Sequence, residues 1–290
     1  MGSLREVKNR INSVKNTRKI TSAMRLVASS KLTRVEGVIA NMIPYQHKLD
    51  DIVGKLLSGD VTIESPFLQK REVKNMAVVV ISSNTTLCGA FNSNVVRGVN
   101  KLFESYSNLS EDSFLFYPIG RKVEENIKKR GFPMAGSFQE LAETPNYSGI
   151  KEIATDLMLK FLNGEIDQVV LIYHHFKSLG TQELVEELFL PFDIDKYLNK
   201  DTSKFENVSY IIEPSEIELL EELLPKVLSQ KLFTVLVDSN ASEHAARSLA
   251  MQLATDNANE LIDDLTLQYN KSRQQAITSE LLDIIGGSMR

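Results

Sequence analysis

The chain closes with the stretch ATDNANELIDDLTLQYNKSRQQAITSELLDIIGG, residues 254–287, which is rich in polar side chains and has no helix breaker before Gly286. The nearest glycine or proline upstream is Pro225, so about sixty residues predict one uninterrupted helix. At about 1.5 Å of rise per residue it would be roughly 90 Å long, well beyond the diameter of a small domain. The fold therefore depends on what this long polar helix packs against.

One edge of the predicted helix carries small or apolar residues at steps of three and four: Ala246, Ala250, Ala254, Ala258, Ile262, Leu265, Tyr269, Ser272 and Ala276. So thin a stripe is typical of a coiled coil. Pro214 and Ser215 are residues that favour a helix start, and Glu218 follows Ser215 at the spacing of a capping box. We predict a C-terminal helix over residues 215–290 that needs one slender partner.

The other long helical pattern lies at the opposite end of the chain, over residues 1–58. Its apolar stripe has two parts separated by a short slip: Leu4, Val7, Ile11 and Val14, then Ile20, Met24, Val27, Lys31 or Leu32, Val35, Val38 or Ile39, and Met42. Gly37 and Pro44 can bend this helix without ending it. We predict that the two ends of the chain pair as an antiparallel two-helix coiled coil.

Between the two helices the pattern changes to short apolar runs that predict strands: 76–83, 113–120 and 168–176. Amphipathic stretches that predict helices alternate with them: 92–106, 121–131 and 149–164. This alternation predicts right-handed βαβ units and a parallel sheet. Two further runs, ELVEELFLPF (183–192) and VSYIIEP (208–214), predict strands near an edge.

The predicted fold is of the α/β class. It consists of a long antiparallel coiled coil, formed by the N- and C-terminal helices, with an inserted Rossmann-like α/β domain over residues 75–212.

The sequence carries no complete set of residues for a catalytic, nucleotide or metal site. After the first predicted strand there is one glycine, Gly89, and neither a G-x-G-x-x-G fingerprint nor a phosphate loop with a lysine. The single cysteine, Cys88, excludes an internal disulfide and is predicted to be a small core residue. His174 and His175 are neighbours on a strand and point to opposite faces, so they cannot hold one ion together. We expect no catalytic residue, no cofactor and no metal.

Charge is distributed unevenly along the chain. Residues 1–34 carry nine lysines and arginines against one acid, although the whole chain has a net charge of −5. This segment favours an acidic partner such as nucleic acid, a membrane surface or an acidic protein, whereas the simpler interpretation is a solvated helix face. No apolar run is long enough to span a bilayer and the N-terminus lacks a signal-peptide core, so we expect a protein kept in the cytoplasm.

Three segments resemble the gamma subunit of the rotary F-type ATP synthases. Residues 4–32 are similar to the N-terminal helix of that family, and LCGAFNSNV (87–95) is similar to the segment after its first domain strand. The strongest similarity is the tail, residues 241–288. It carries the family's end signature as Ile277, Thr278, Glu280, Asp283 and Gly287.

The resemblance implies a non-catalytic central-stalk rotor subunit of a proton-translocating ATP synthase, although the sequence leaves the coupled ion, proton or sodium, open. In the family the coiled coil stands inside a ring of three alpha and three beta subunits. The α/β domain lies at the base, near the epsilon subunit and the membrane-embedded c-ring. One copy per complex, and a peripheral position on the cytoplasmic face of the bacterial inner membrane, are implied in the same way.

The resemblance also implies contacts with the catalytic subunits. Lys19, Met24 and Arg25 lie in the stretch that matches the part of the shaft meeting an acidic lever segment of those subunits. Arg273 and Gln274 match a pair that contacts a loop of a catalytic subunit.

Two further contacts are implied at the ends of the last helix. Ile284 and Ile285 match the tip held in the apolar sleeve of the ring, and Ile212 and Glu213 lie where the foot meets the c-ring and epsilon. Two alternatives remain. One is a basic coiled-coil adaptor that binds nucleic acid or an acidic protein, with an affinity for nucleic acid that falls steeply with salt. The other is a small Rossmann-like enzyme, which the missing phosphate loop opposes.

Overall fold

Two long helices dominate the computed structural model, which describes residues 4–57, 65–193, 213 and 215–288. Helix α1 spans Leu4–Leu57, and the last helix, α6, spans Glu216–Ser288. Both continue through an internal proline, Pro44 in α1 and Pro225 in α6. With 73 residues, α6 is about 110 Å long. The predicted uninterrupted C-terminal helix is confirmed.

The start of α6 is the one that its sequence predicts. The hydroxyl of Ser215 accepts a hydrogen bond from the backbone N–H of Glu218 at 3.3 Å, and the carbonyl of Ser215 accepts one from Leu219 at 3.1 Å. A serine in this position satisfies an N–H group that has no partner within the helix. Ser215 is therefore the N-cap of α6.

Four strands and four shorter helices are described between the long helices. The strands are β1 (Met76–Ile81), β2 (Phe114–Ile119), β3 (Gln168–Ser178) and β4 (Thr181–Leu190). The helices are α2 (Phe91–Ser105), α3 (Arg121–Arg130), α4 (Gln139–Glu143) and α5 (Tyr147–Leu162). The strands form one sheet in the order β2-β1-β3-β4. We refer to this sheet and its four helices as the sheet unit.

The sheet is mixed, which corrects the prediction of a parallel sheet at its added edge strand. Strand β1 runs parallel to both β2 and β3, whereas β4 runs antiparallel to β3. Only Leu179 and Gly180 separate β3 from β4. So short a connection can join antiparallel strands but not parallel ones, which need a crossover of a dozen or more residues. Strand β4 is at the predicted edge position, while the predicted strand 208–214 lies, except for Glu213, outside the described residues.

Both faces of the sheet are buried under helices, and successive side chains of a strand point to opposite faces. Met76, Val78 and Val80 of β1 pack against α2 and α3 on one face. Ala77 and Val79 face the other side, where α4 and α5 pack together with the C-terminal end of α1 and the N-terminal end of α6. We call these the lower ends of the long helices. The long helices contribute these buried residues there: Leu49, Val53 and Leu56 of α1, and Leu220, Leu224, Val227, Leu228, Leu232, Val235 and Leu236 of α6. The core of the sheet unit thus includes the lower ends of both long helices.

Helices α1 and α6 pack against each other in antiparallel orientation. Side-chain hydrogen bonds join Arg18 to Asn259, Thr21 to Thr255, Ser29 to Ser248 and Gln46 to Thr234. Residue numbers fall along α6 as they rise along α1, as an antiparallel pair requires. The predicted pairing of the chain ends is confirmed. Among the described residues, no helix combines the length and the apolar character needed to cross a bilayer.

Candidate functional site

The face of α1 that contacts α6 is continuous. Residues at alternating steps of three and four are buried or half-buried without a break: Ile11, Val14, Arg18, Thr21, Arg25, Ala28, Leu32, Val35, Ile39 and Met42. The predicted slip after Val14 is therefore wrong. Ile20 and Val27, which were predicted to lie on this face, are 60% and 58% exposed. The prediction failed because it followed only apolar residues, whereas the contact at this height is made by polar and small ones.

Hydroxyl pairs occupy the middle of the contact between α1 and α6. The Thr21 and Thr255 hydroxyls lie 2.8 Å apart, and those of Ser29 and Ser248 lie 2.9 Å apart. Ala28 is buried between these levels. Small side chains fill little space, so the two helices can approach closely. Their hydroxyl groups can then pair with each other across the contact. The α6 side of the seam, from Ala246 to Ala276, is buried or half-buried as predicted.

Apolar side chains off this contact mark a second face of α1. Ile20 and Val27, seven residues apart, share one side of the helix, and Met24 lies between them and is half-buried. Lys19 is exposed beside them, and Arg25 is half-buried on the seam. The structure thus places the predicted contact residues Lys19, Met24 and Arg25 within the same two turns as uncovered apolar side chains. Exposed apolar groups that are close together are typical of a partner-binding surface.

The upper end of α6 extends beyond the start of α1. Because Arg18 faces Asn259, the first residue of α1 lies level with about Arg273. Every described side chain from Ile277 to Ile285 is exposed, including Ile284 at 67% and Ile285 at 52%. Arg273 and Gln274 are exposed, whereas Ser272 and Ala276 are half-buried on the seam. The two predicted contact residues therefore point away from the helix pair.

The predicted foot is described only in part. Glu213 is exposed and stands just before the N-cap of α6, while Ile212 lies outside the described residues.

The crevice where α/β proteins of this type bind ligands is filled by the chain itself. Such ligands sit at the carboxyl ends of the strands, where the strand order reverses, which here is between β1 and β3. The Phe91 ring stacks on His174 at 4.3 Å between centroids, and Ala246 of α6 packs against Phe91 and Cys88. The remaining cavity of about 150 Å³ is smaller than the roughly 300 Å³ of a typical small-molecule site.

Below this crevice, polar side chains of α6 bind the sheet unit. Asp238 contacts the end of β3, the Asn240 amide donates to the carbonyl of Ala142 at 2.9 Å, and the Ser242 hydroxyl donates to the carbonyl of His174 at 3.1 Å. We call residues 238–248 of α6 the neck, because the helix leaves the core of the sheet unit there. Among the described residues, sequence reasoning identified none of these neck contacts, since isolated polar residues on a helix carry no signal of their own.

An ion pair closes the upper end of the neck. The Arg247 guanidinium donates to the Glu243 carboxylate at 2.6 Å and to the Thr85 hydroxyl at 2.8 Å. Arg247 and Glu243 are both buried. Thr85 belongs to the loop that follows β1, so this cluster connects α6 to the sheet unit as well.

Burial shifts the acid–base equilibria of three groups at the neck. It lowers the pKa of His174 to about 4. It also lowers the pKa of His244 to about 4, with a smaller effect from the nearby charges of Arg247 and Lys31. Burial raises the pKa of Glu243, although Arg247 opposes that shift. Both histidines are therefore neutral near pH 7, and no hydrogen-bond partner is described for either ring nitrogen of His174.

The loop after β1 has an unusual backbone at Leu87. This residue has φ of 67°, in the left-handed region that bulky side chains rarely adopt, and its side chain is exposed. It begins the segment LCGAFNSNV. Such conformations cluster at functional sites, where the surrounding structure maintains the strain. Nothing in the sequence alone indicated that Leu87 would be both strained and exposed.

The described residues contain no group of three or more histidine, cysteine or acidic side chains that could hold a metal ion. Cys88 is buried, as predicted for a core residue, and His174 and His175 lie on opposite sides of β3, one buried and one exposed. These residues do not form a catalytic arrangement with one another.

Comparisons with known proteins agree along the entire chain. Residues 3–289 match the family model described as ATP synthase. The ATP synthase gamma chain of Bacteroides fragilis is 56% identical over 289 residues, covering 100% of both chains. That of Parabacteroides distasonis is 42% identical over 99% of both chains.

Solved structures give the same result for the fold. A chain of the central stalk and c-ring structure of Tetrahymena thermophila mitochondrial ATP synthase matches with a TM-score of 0.58 and 25% identity, covering 81% of this chain and 99% of that one. A chain of the Euglena gracilis mitochondrial ATP synthase matches with a TM-score of 0.68 and 17% identity, covering 99% of this chain and 93% of that one. The second similarity, at its low identity, concerns the fold alone.

Proposed function

This chain belongs to the ATP synthase gamma chain family, whose members are non-catalytic central-stalk subunits of the F-type ATP synthase, and from that premise we propose how its structure couples rotation to catalysis. The helix pair is the shaft, and its upper part stands inside the catalytic ring. The sheet unit is the foot, through which the shaft is turned by the membrane rotor.

The observation that carries this proposal is the change in how α6 is covered along its length. Its lower end is buried in the core of the sheet unit, whereas its upper end touches α1 along a thin seam and leaves the remaining surface polar. A folded domain has no need of so long a polar extension. A shaft does, because a strongly apolar surface would adhere to one position of the surrounding ring.

Coupling follows from the asymmetry of the shaft. Around a single helix pair, three catalytic and three non-catalytic subunits meet different faces at any moment, which requires one copy of this chain per complex. Each face stabilises a different conformation of the subunit that it touches, and an equilibrium shifts only by the difference in binding free energy between its states. By reciprocity, nucleotide binding and release favour particular shaft positions.

The side of α1 around Ile20 and Val27 is the proposed contact with the catalytic subunits at mid-height. It offers apolar surface together with the positive charge of Lys19, and Met24 adds a flexible apolar group; Arg25, half-buried on the seam, is the second proposed cationic contact at this height. An acidic lever segment on the catalytic subunits is complementary to this charge. Electrostatic complementarity of this kind sets register and orientation more than affinity.

Higher on the shaft, Arg273 and Gln274 are the proposed contacts with a loop of a catalytic subunit. Arginine suits this role because its guanidinium can donate two parallel hydrogen bonds to one carboxylate. The exposed Ile284 and Ile285 are the proposed apical bearing, held in an apolar sleeve at the top of the ring.

At the other end, Ile212 and Glu213 are the proposed contact with the c-ring and the epsilon subunit. Glu213 is exposed beside the start of α6, the position from which a partner can reach the helix that enters the core. The chain would then be attached to the cytoplasmic face of the bacterial inner membrane through the complex, as a peripheral subunit.

The test is reconstitution in membrane vesicles of the complex with and without this chain. We expect the chain to co-purify with the alpha, beta, epsilon and c subunits, and ATP-driven ion uptake to require it. Equal uptake by complexes that lack the chain would contradict the proposal. Calorimetry on the isolated chain should reveal no stoichiometric nucleotide site, in keeping with the filled crevice between β1 and β3.

The alternative of a nucleic-acid adaptor rests on the basic charge of residues 1–34 alone. It does not account for the match to ATP synthase gamma chains over the full length. Binding of duplex DNA that weakens steeply with salt would revive it.

A further inference from the structure

Asp238 of α6 uses both of its carboxylate oxygens at the end of β3. Oδ1 accepts a hydrogen bond from the backbone N–H of Phe176 at 3.0 Å, and Oδ2 lies 2.6 Å from Nδ1 of His175. An ionised carboxylate only accepts, so His175 Nδ1 is the donor. Two hydrogen bonds from one carboxylate to consecutive residues fix the angle between α6 and the end of β3. A single hydrogen bond would allow rotation about itself.

Ser242 extends this contact along the same face of α6. It follows Asp238 by four residues, so the two side chains lie one above the other on the helix. Its hydroxyl donates to the carbonyl of His174. Asp238 and Ser242 together therefore bind three consecutive residues of β3, 174 to 176. At these three residues β3 pairs with β4 alone, because its pairing with β1 ends at Ile172, so the contact joins α6 to the β3–β4 hairpin.

A bond on another side of the helix completes the arrangement. Asn240 lies between Asp238 and Ser242 in sequence, so it points to the opposite side of α6. Its amide donates to the carbonyl of Ala142 at the end of α4. The neck is thus bound to β3 on one side and to α4 on the other. Higher on α6, Ser248, Thr255 and Asn259 bond instead to α1.

This position matters because apolar packing and hydrogen bonds resist different movements. The leucines of α6 below the neck hold the helix in the core by a force that is not directional. Hydrogen bonds weaken steeply when their angles change. A twist of the shaft relative to the sheet unit would first distort the bonds of Asp238, Asn240 and Ser242.

We propose that Asp238, supported by Ser242, is the positioning residue of a torque joint: it sets the rotational angle between the shaft and the sheet unit. The proposal rests on the proposed function, in which torque passes between these two parts. It assigns to the neck a role in transmission that is separate from its contribution to folding.

The experiment uses the complete complex in vesicles, with Asp238→Ala in this chain, and measures ATP hydrolysis and ATP-driven ion uptake against an opposing ion gradient. We expect uptake per ATP hydrolysed to fall about threefold, because the loss of two hydrogen bonds leaves the joint compliant under load, while hydrolysis stays within about twofold. Asp238→Asn keeps Oδ1 as an acceptor for Phe176 and should lose less. Glu221→Ala, which removes an exposed carboxylate from the same helix, is the matched control and should change neither quantity.

Hydrogen exchange in the same complex shows whether the joint was opened. The amide of Phe176 should exchange faster in Asp238→Ala. If the Phe176 amide exchanges faster but the ratio of uptake to hydrolysis is unchanged, the proposal is overturned. If Asp238→Ala fails to assemble, His175→Ala decides, since it removes only the Oδ2 contact of a half-exposed side chain. It should lower the ratio in the same direction, and no change would count against the joint. A wild-type chain that fails to support uptake would instead overturn the proposed function itself.

Discussion

The lower part of α6, from Leu220 to Leu236, and its upper part, from Ala258 to Ile285, belong to one helix but meet different surroundings. In the lower part, Leu224, Leu228 and Leu232 are fully buried against the sheet unit and the end of α1. In the upper part, Leu267 is 71% exposed, and the contact with α1 is a thin line of small and apolar residues together with the hydrogen bond from Arg18 to Asn259. The same residue type is therefore buried in the lower part of α6 and, at Leu267, exposed in the upper part.

The difference shows which part of the helix is committed to folding. The buried leucines of the lower part cannot change without disturbing a core that holds the whole sheet unit. The upper part needs only its seam, so most of its surface is available to partners. Four of the candidate contact residues, Arg273, Gln274, Ile284 and Ile285, accordingly lie in the part of α6 where the fold imposes the fewest constraints.

Removal of residues 1–34 should have the largest effect on the difference between the two parts of α6. Without this part of α1 the seam of Ala258, Ile262, Leu265 and Tyr269 is uncovered, which at about 25 cal/mol per Å² of apolar surface amounts to several kcal/mol. We expect amide protection to be lost in α6 beyond about residue 250 and kept at Leu220–Leu236. Hydrogen exchange followed by mass spectrometry resolves the two regions. Unchanged protection in the upper part would contradict the pairing of the chain ends as its support.

The same leucine truncation in each part of α6 should sharpen the comparison. Leu228→Ala leaves a cavity in the core of the sheet unit and should lower its stability by about 3 kcal/mol. Leu267→Ala, on the same helix but exposed, should cost less than about 0.5 kcal/mol. Thermal and denaturant unfolding of the isolated chain measure both changes. Equal losses from the two variants would mean that the two parts of α6 are covered alike.

Mild acid should weaken the neck, where the two regions meet. The pKa of His174 and of His244 lies near 4 in the folded chain and near 6.5 when unfolded, so protons bind preferentially to the unfolded state between these values. The stability that the neutral rings contribute is present above about pH 6.5 and is lost as the pH falls towards 4. Each histidine should cost roughly 1 kcal/mol by about pH 5.5.

The check is the slope of stability against pH in His174→Gln and His244→Gln, which should both be flatter than the wild type between about pH 6.5 and 4. Glu243 works in the opposite direction, because its raised pKa favours the protonated folded state. Glu243→Gln should therefore steepen the acid side of the profile. Identical slopes in all four proteins would show that the neck does not titrate as described.

The smallest effect on stability is expected at the top of the shaft. Arg273→Ala together with Gln274→Ala should barely change the melting temperature, since all three residue types favour helices and both positions are exposed. In the reconstituted complex, turnover should fall severalfold, because loss of an arginine contact to a partner costs about 1–3 kcal/mol. Full activity with normal assembly would remove this pair from the coupling path, and a collapsed melting curve would assign it to the fold.

Much of this architecture could be predicted from sequence periodicity. Both long helices, the strands β1, β2 and β3, and the seam of α6 from Ala246 to Ala276 follow from steps of two, three and four residues. The orientation of β4 could not be read from its composition, because an edge strand looks alike in either direction. It depends on the two-residue connection at Leu179 and Gly180.

The middle of α1 shows where periodicity misleads. There the apolar residues Ile20 and Val27 lie outside the contact, and Thr21 and Ala28 lie within it. A pattern search assigns apolar side chains to the inside because burial normally stabilises them. In a subunit that binds partners along its length, some apolar side chains stay uncovered in the isolated chain, and the search cannot distinguish the two fates.

The sequence by itself determined that this chain has two long end helices, an α/β unit between them and no phosphate-binding loop, because these properties arise from local spacing and residue type. Its similarity to a family of rotor subunits was also evident in the tail. Only the tertiary structure decided that α6 fills the crevice between β1 and β3, that Asp238 and Ser242 bind β3, and that Arg247 reaches Thr85. These contacts join residues far apart in sequence, and their geometry exists only after both faces of the sheet are packed.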